Sequence, residues 1–282
     1  MMERKISAVL ADLDGTLMEK GGDIAYVNIA AMKRLHELGV KVGIASGRPA
    51  DDKMASLAKA WGLGFDFDVM IGMNGGQLWD KDHEGVKQVH MIDEKTIEDI
   101  YRIMEPMHKN AFVYDGNCMI ANELDELMLM SKNRNHMDVD VIGYEHPEKL
   151  WAKPNNKLLY RLPADEIPAV LAYLDTLPAD ERYRYFKTAP EVIEFQDPRV
   201  NKGTGLHAYA EQNDLPVSEI AAFGDEQNDI EMIREAGLGV CLLNGCDAAK
   251  AAADAVTEYN AESGGFGRWI FAHLLNESYE EK

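Results

Sequence analysis

The chain has 282 residues, and its 29 Lys and Arg against 49 Asp and Glu give a formal charge of −20 with histidine neutral. That balance repels phosphate backbones and anionic lipid headgroups, so nucleic acid polymers and membrane surfaces are excluded as partners. With 46% apolar residues beside 28% charged, the sequence can bury the core of one large domain or two modest ones, which excludes disorder. The first apolar stretch carries Asp12, Asp14 and Glu19, and nowhere is an apolar run long enough to cross a bilayer, so neither a signal peptide nor a membrane span is expected. Cys118, Cys241 and Cys246 form no CxxC pair and leave an odd thiol, as expected of small buried residues in a reduced, cytoplasmic setting.

In chain order, Ile6 to Asp12 is a short apolar run ending in acids, the pattern of a central parallel strand buried on both faces. Val27, Ala31, Leu35 and Leu38 recur at helical spacing, and Gly39 supplies the left-handed stop. Val40 to Ala45 reads as a second strand. Pro49 can open the next helix, with Asp51 and Asp52 against the positive end of its dipole. Asp68 to Ile71 reads as a third strand, followed by a turn from Gly72 to Gly76.

The pattern then changes. Ile97, Ile100, Met104 and Met107 mark a helix before two close strands, Ala111 to Tyr114 and Cys118 to Ala121, whose spacing suggests antiparallel pairing. The order repeats with strand Lys157 to Leu162, helix Asp165 to Leu174 and strands Tyr183 to Lys187 and Val192 to Phe195. From Val200 the strand–helix alternation returns: helix Thr204 to Gln212, strand Ile220 to Gly224, helix Asp229 to Ala236, strand Gly239 to Leu242, helix Asp247 to Ala253, strand Ala255 to Val256 and a closing helix from Gly267 to Leu275. The expected fold is α/β, a doubly wound, Rossmann-like parallel sheet formed by residues 1–82 and 197–282, with an inserted α+β domain at 83–196. The acidic end, Glu277 to Lys282, reads as a solvated tail.

Four segments carry residues that can do chemistry. Asp12-Leu13-Asp14-Gly15-Thr16-Leu17 puts two carboxylates at the carboxyl end of a buried strand, where open α/β sheets bind their ligands. Such a pair needs a cation or a proton, unless both acids merely cap turn N–H groups. A calcium loop fails on spacing, because Thr16, Leu17 and Asp23 stand where it needs an acid or amide, a glycine and a glutamate. Gly224-Asp225-Glu226-Gln227-Asn228-Asp229 brings further hard oxygen ligands to the same sheet edge, so Asp12, Asp225 and the backbone carbonyl of Asp14 can serve magnesium. Asp229 suits an outer position, or simply complements a helix dipole. In Ala45-Ser46-Gly47-Arg48 the Ser46 hydroxyl and Gly47 amide can donate to a phosphate oxygen, although a serine near a helix start is also an ordinary cap. Asn201-Lys202-Gly203 adds a lysine just before a helix; its weight comes from the other three segments, with which it makes up nucleophile, acid, metal site and cation.

In their order, and with a large insert before the lysine, these four segments resemble the motifs of the haloacid dehalogenase-like hydrolases, and among them the Cof-type sugar-phosphate and nucleotide phosphatases. The resemblance implies a magnesium-dependent phosphatase acting on small phosphomonoesters through an aspartyl-phosphate. It makes Asp12 the nucleophile and a magnesium ligand, Asp14 the general acid/base and a backbone-carbonyl ligand, and Asp225 a further ligand. Ser46, Gly47, Lys202, Asn228 and the Leu13 backbone amide would hold the phosphoryl group. The insert would be a cap that reads the leaving group, with Tyr160, Arg161, Tyr183, Arg184 and Lys187 as candidates on its strands, and Asn74 and Gly75 near its entry. Two turns depart from the family's pattern: Val240 to Gly245, and the glycines Gly264 to Gly267. A phosphomannomutase-like phosphotransferase and a non-catalytic phospho-ligand-binding protein are the rival readings. Small phosphoester molecules are the expected partners, with the chain a monomer or small homo-oligomer.

Overall fold

The structure, a computed structural model, describes residues 5–19, 22–135 and 137–279. The chain opens with β1 (Ala8–Ala11), α1 (Tyr26–Glu37), β2 (Lys41–Ala45), α2 (Asp52–Ala60), β3 (Val69–Gly72), β4 (Gln77–Asp80) and β5 (Val86–Gln88). It continues through α3 (Glu94–Met104), β6 (Asn110–Asp115), β7 (Cys118–Ala121), α4 (Glu126–Asn135), β8 (Asp138–Val141), β9 (Lys157–Arg161), α5 (Ile167–Leu174), β10 (Arg184–Ala189) and β11 (Val192–Gln196). It closes with α6 (Lys202–Gln212), β12 (Ile220–Gly224), α7 (Ile230–Glu235), β13 (Leu238–Cys241), α8 (Asp247–Ala252), β14 (Ala255–Val256) and α9 (Gly265–Trp269). These elements form two compact units, Met1–Val89 with Val200–Lys282, and His90–Arg199.

The first unit is built on an eight-stranded sheet in the order β14-β13-β12-β1-β2-β3-β4-β5. Pairing is parallel from β14 to β3 and antiparallel from β3 to β5. β1, Ala-Val-Leu-Ala, is buried along its whole length, as an apolar run between parallel neighbours requires. Val9 and Ala11 look to the side that packs Leu35, Ile44, Phe223 and Trp269, while Ala8 and Leu10 look to the side that packs Ile71, Leu206 and Met232. The chain leaves β1 toward β2 on one side, and β12 leads to β13 on the other, so order reverses between β1 and β12. In a doubly wound sheet the crevice at that reversal, beyond the carboxyl ends, is the ligand site.

Two helix starts differ from the sequence reading. α2 begins at Asp52, and Asp51 caps it by accepting from the Lys53 and Met54 amides at 3.0 Å each. A carboxylate acceptor satisfies two amides that Pro49, three residues from the helix, leaves untouched. α6 begins at Lys202, earlier than the expected Thr204, because Asn201 and Thr204 form a reciprocal capping box. That box places Lys202 in the first turn, where its side chain is fully buried.

β4 and β5 extend the first sheet as an antiparallel meander, and the compact unit runs to Val89. The expected insert boundary at residue 83 therefore differs by a few residues. The wholly exposed Val86-Lys87-Gln88 offers no apolar alternation by which to see the last strand. Glu277 is not free tail: its carboxylate accepts from Arg34 Nη2 at 2.7 Å, and Tyr279 stacks on Phe271. Residues 280–282 of the expected tail lie outside the described residues.

The second unit carries a six-stranded sheet, β10-β11-β9-β6-β7-β8, antiparallel except between β7 and β8. Ile97, Ile100 and Met104 of α3 and Ile167, Val170 and Leu174 of α5 pack on one face with Tyr160 and Phe195, and Met128 of α4 packs on the other with Phe112 and Leu159. Two of the strand residues expected to read a leaving group are committed inside this unit. Tyr160 is 1% exposed, and Arg161 donates from Nε to the Leu127 carbonyl at 3.0 Å. Arg184 and Lys187 are exposed, and Tyr183 packs on Phe195.

Candidate active site

Asp12 stands one residue beyond β1, its amide bound to the Phe223 carbonyl of β12 at 2.9 Å. Parallel pairing thus carries the sheet register into the site itself. Asp225 stands one residue beyond β12, so both carboxylates fall at the reversal point. The turn between them is shaped by Gly15, at φ +103°: a Cβ there would lie 2.3 Å from Asp225 Oδ2, so only glycine lets the two loops approach. Leu13 and Leu17 sink into the core beneath the turn, and Leu17 and Met18 return their amides to the Asp12 and Leu13 carbonyls.

Lys202 Nζ reaches Asp12 Oδ1 and Asp229 Oδ1 at 2.5 Å each. Asp229 Oδ2 accepts from the amides of Asp225 and Glu226 at 2.9 and 3.0 Å. Thr16 Oγ1 donates to Asp225 Oδ1 at 3.1 Å. One carboxylate oxygen from each of Asp12, Asp225 and Asp229 lies within 4.8 Å of the others, and all three residues are buried. Against these three carboxylates stands one ammonium. Burial pushes the Asp12 carboxyl up from 3.8 to about 7; Lys202 opposes this, while Asp229 and Asp225 add to it. Burial by itself would lower the Lys202 ammonium, but Asp12 and Asp229 outweigh it and hold the proton on.

This donor set fits a divalent cation of the magnesium type: hard oxygens, buried, with excess negative charge and a strained Asp12 ionisation that a cation would relieve. Within the cluster the oxygens of Asp229 are already taken, one by Lys202 and the other by two amides. Asp229 therefore positions the lysine and the Asp225 loop, and each of Asp12 and Asp225 brings a carboxylate oxygen within 4.8 Å of the other two acids.

The other expected residues sit around this centre. The Asp14 side chain lies outside the carboxylate cluster, with Arg48 Nη2 donating to both its oxygens at 2.8 and 2.7 Å. Ser46 stands one residue beyond β2 and is buried; its Oγ accepts from the Arg48 amide at 3.2 Å. The register Ala11↔Ile44 puts Ser46 and Gly47 at the same sheet edge as Asp12. Asn228 donates from Nδ2 to Asn74 Oδ1 at 3.1 Å, tying the loop after β12 to the one after β3. Asn74 holds a left-handed backbone, φ 55°, between Met73 and Gly75 at φ 51° and 102°. Consecutive left-handed residues without a full run of glycine mark a turn whose geometry the surroundings dictate.

Sequence reasoning missed Thr16, which orients Asp225, and Asn244, which holds the other end of the same turn. Asn244 Nδ2 donates to the Gly15 carbonyl at 2.8 Å, and its Oδ1 accepts from the Ala261 amide at 2.8 Å. The departing turn Val240 to Gly245 thus still supplies an amide to the first motif. Arg48 was visible only as the end of a motif; its pairing with Asp14 had no local signal.

A family model described as haloacid dehalogenase-like hydrolase matches residues 9–270, and the chain belongs to that family. It is an enzyme of the phosphatase kind within it. A 5-amino-6-(5-phospho-D-ribitylamino)uracil phosphatase of Bacillus subtilis, YitU, is 28% identical over 93% of this chain and 96% of its own. Among solved structures, a haloacid dehalogenase-like hydrolase from Bacteroides thetaiotaomicron superposes with a TM-score of 0.81 at 24% identity, covering 94% of this chain and 98% of its own. The subclass IIB sugar phosphatase BT4131 superposes at 0.74 with 22% identity, covering 94% and 97%. These structural likenesses show the shared fold, a Rossmann-like α/β core with a cap domain. No helix among the described residues is long and apolar enough to cross a membrane.

Proposed function

We propose that this chain is a magnesium-dependent phosphatase that hydrolyses small phosphomonoesters, sugar phosphates, nucleotides or related metabolites, through an aspartyl-phosphate formed on Asp12. The observation that carries the reading is the Asp12 carboxylate at the sheet's reversal point, held by the buried Lys202 and within 4.8 Å of Asp225 and Asp229. Asp12, Asp225 and the Asp14 backbone carbonyl would hold magnesium, which neutralises phosphoryl oxygens and lets a dianion approach the carboxylates.

Asp12 attacks phosphorus in line, forming the acyl phosphate as the P–O ester bond breaks, and the leaving alkoxide takes a proton from Asp14. Asp14 next accepts a proton from the water that attacks phosphorus, which frees inorganic phosphate and returns Asp12 to its carboxylate. Lys202, the Ser46 hydroxyl, the Asn228 amide group and the backbone amides of Leu13 and Gly47 hold the transferring oxygens. Before it can act, Asp14 must part from Arg48. Both side chains are partly exposed, so that pair is worth no more than about 1 kcal/mol.

The inserted unit is read as the cap that selects the leaving group. The ribitylamino-uracil phosphate in the name of the Bacillus subtilis relative, and the sugar phosphatase activity given for BT4131, favour polyol- or sugar-bearing esters. The test is phosphate release from an aryl phosphate and from sugar phosphates, with magnesium and with excess chelator, for the wild type and Asp12→Asn. Magnesium-dependent release lost in a folded Asp12→Asn supports the mechanism, and wild-type turnover in that variant refutes it.

A further inference from the structure

The second unit contains a pocket of about 140 Å³ between α3 with the turn that follows it, β9, and the loop after β8. No residue of the carboxylate site takes part in it. Tyr101, Tyr144 and Tyr160 and the thioether of Met104 line it, with Glu105 and Lys109 adding a charge of each sign. Lys109 is paired to Glu166, and Glu105 is within 3.4 Å of Arg102 Nη1, so the lining presents no unbalanced charge.

The three hydroxyls are not equivalent. Tyr101 engages the Asn122 side chain, and Tyr144 donates to Glu123 Oε1 at 3.0 Å. Tyr160 is 1% exposed, and its hydroxyl has no hydrogen-bond partner among the described residues. Its ring is fixed edge-on against Phe195 at 5.8 Å between centroids, so the hydroxyl cannot swing out to solvent. Leaving a buried donor unpaired costs about 1–3 kcal/mol in general, and such groups are rare in folded proteins. Burial also pushes the phenol well above its ordinary value, so it stays a neutral donor.

Size, lining and the idle donor define a ligand. A cavity of about 150 Å³ takes one benzene ring, and aromatic walls with a thioether suit a flat π-system. We propose that this pocket is a second binding site, separate from the carboxylate centre, for a single uncharged six-membered nitrogen heterocycle whose ring acceptor accepts a hydrogen bond from the Tyr160 hydroxyl. Tyr144, with His108 6.5 Å away edge-on, forms the flank of the site.

The experiment uses the full chain and ligand-observed fluorine NMR with 3-fluoropyridine as probe and fluorobenzene, of equal size without an acceptor, as control. The wild type is expected to bind 3-fluoropyridine with a Kd on the order of 1 mM, about tenfold tighter than fluorobenzene. Tyr160→Phe, which removes only the idle hydroxyl, should erase that preference and leave fluorobenzene binding unchanged. In the wild type, ring resonances of Tyr101, Tyr144 and Tyr160 should shift on titration while those of Tyr26 and Tyr259 stay in place. No binding of either probe, shifts away from these three rings, or a preference that survives in Tyr160→Phe would overturn the proposal. None of these readouts involves turnover, so its failure is distinguishable from failure of the phosphatase mechanism.

Discussion

Replacing Lys202 by methionine, of similar length, tests whether the buried lysine is the counter-ion on which the carboxylate site depends. The side chain is fully buried and touches Asp12 and Asp229. Without it, the cluster must take up a further proton to stay buried, beyond the one that Asp12 carries below about pH 7 in the wild type. Protonating an ordinary aspartate costs about 1.4 kcal/mol per pH unit above about 3.9, hence about 4 kcal/mol at pH 7 and about 1.5 kcal/mol at pH 5. The first figure agrees with the roughly 3–5 kcal/mol expected for breaking a buried ion pair. At about 2–4 °C per kcal/mol for chains near this size, the variant should melt on the order of 10 °C below wild type at pH 7, with a gap near 4 °C at pH 5. Thermal melts of both proteins in chelator across this range measure it. A gap that does not shrink on acidification, or a variant within about 2 °C of wild type at pH 7, would refute the charge argument. Loss of packing, unlike loss of a counter-ion, does not vary with pH.

Magnesium binding should strengthen as pH rises through about 7, because Asp12 must lose its proton to act as ligand; below that point calorimetry should find affinity falling by about tenfold per pH unit, and a flat profile would count against Asp12 as ligand. The sign for stability runs the other way. The folded value lies above the unfolded one, so Asp12 contributes to metal-free stability in acid and that contribution is lost as pH rises through about 7. Gly15→Ala should abolish magnesium-dependent turnover while the fold survives, since its Cβ would strike Asp225 Oδ2; retained metal affinity by calorimetry would contradict this. Asn244→Ala frees the Gly15 carbonyl and should lower stability by about 1–3 kcal/mol in denaturant melts, with turnover falling as well.

Much of the first unit was legible because its strands are short apolar runs punctuated by glycine and aspartate, and because three of the four motifs follow a strand and the fourth opens a helix. Asp12 and Asp225 announce themselves by following Ala-Val-Leu-Ala and Ala-Ala-Phe-Gly. What escaped was either weakly patterned or set by distant contacts. β4 and β5 are short, and the latter is exposed; α4, Glu126 to Asn135, mixes Leu127, Met128, Leu129 and Met130 in succession, so no face stands out from the spacing. The roles of Asn244 and Arg48 rest on partners 229 and 34 residues away, which no local pattern encodes. Tyr160 and Arg161 read as exposed strand residues because a five-residue polar-apolar mixture does not reveal that both faces of β9 are covered.

A chain of charge −20 can still hold a site for an anion. Long-range repulsion is screened within about 10 Å at ordinary ionic strength, so the local balance decides. There the Lys202 ammonium lies between two carboxylates, with the third oriented by a threonine hydroxyl. With Asp12 ionised, three carboxylates and one ammonium leave a net −2, which one divalent cation cancels. The chain's residues alone would repel a phosphate dianion; with that cation bound, its approach is no longer opposed. The carboxylate cluster and the cation requirement are therefore one argument, and an approach of phosphate to the metal-free site, seen as phosphorus NMR broadening in chelator, would undo both.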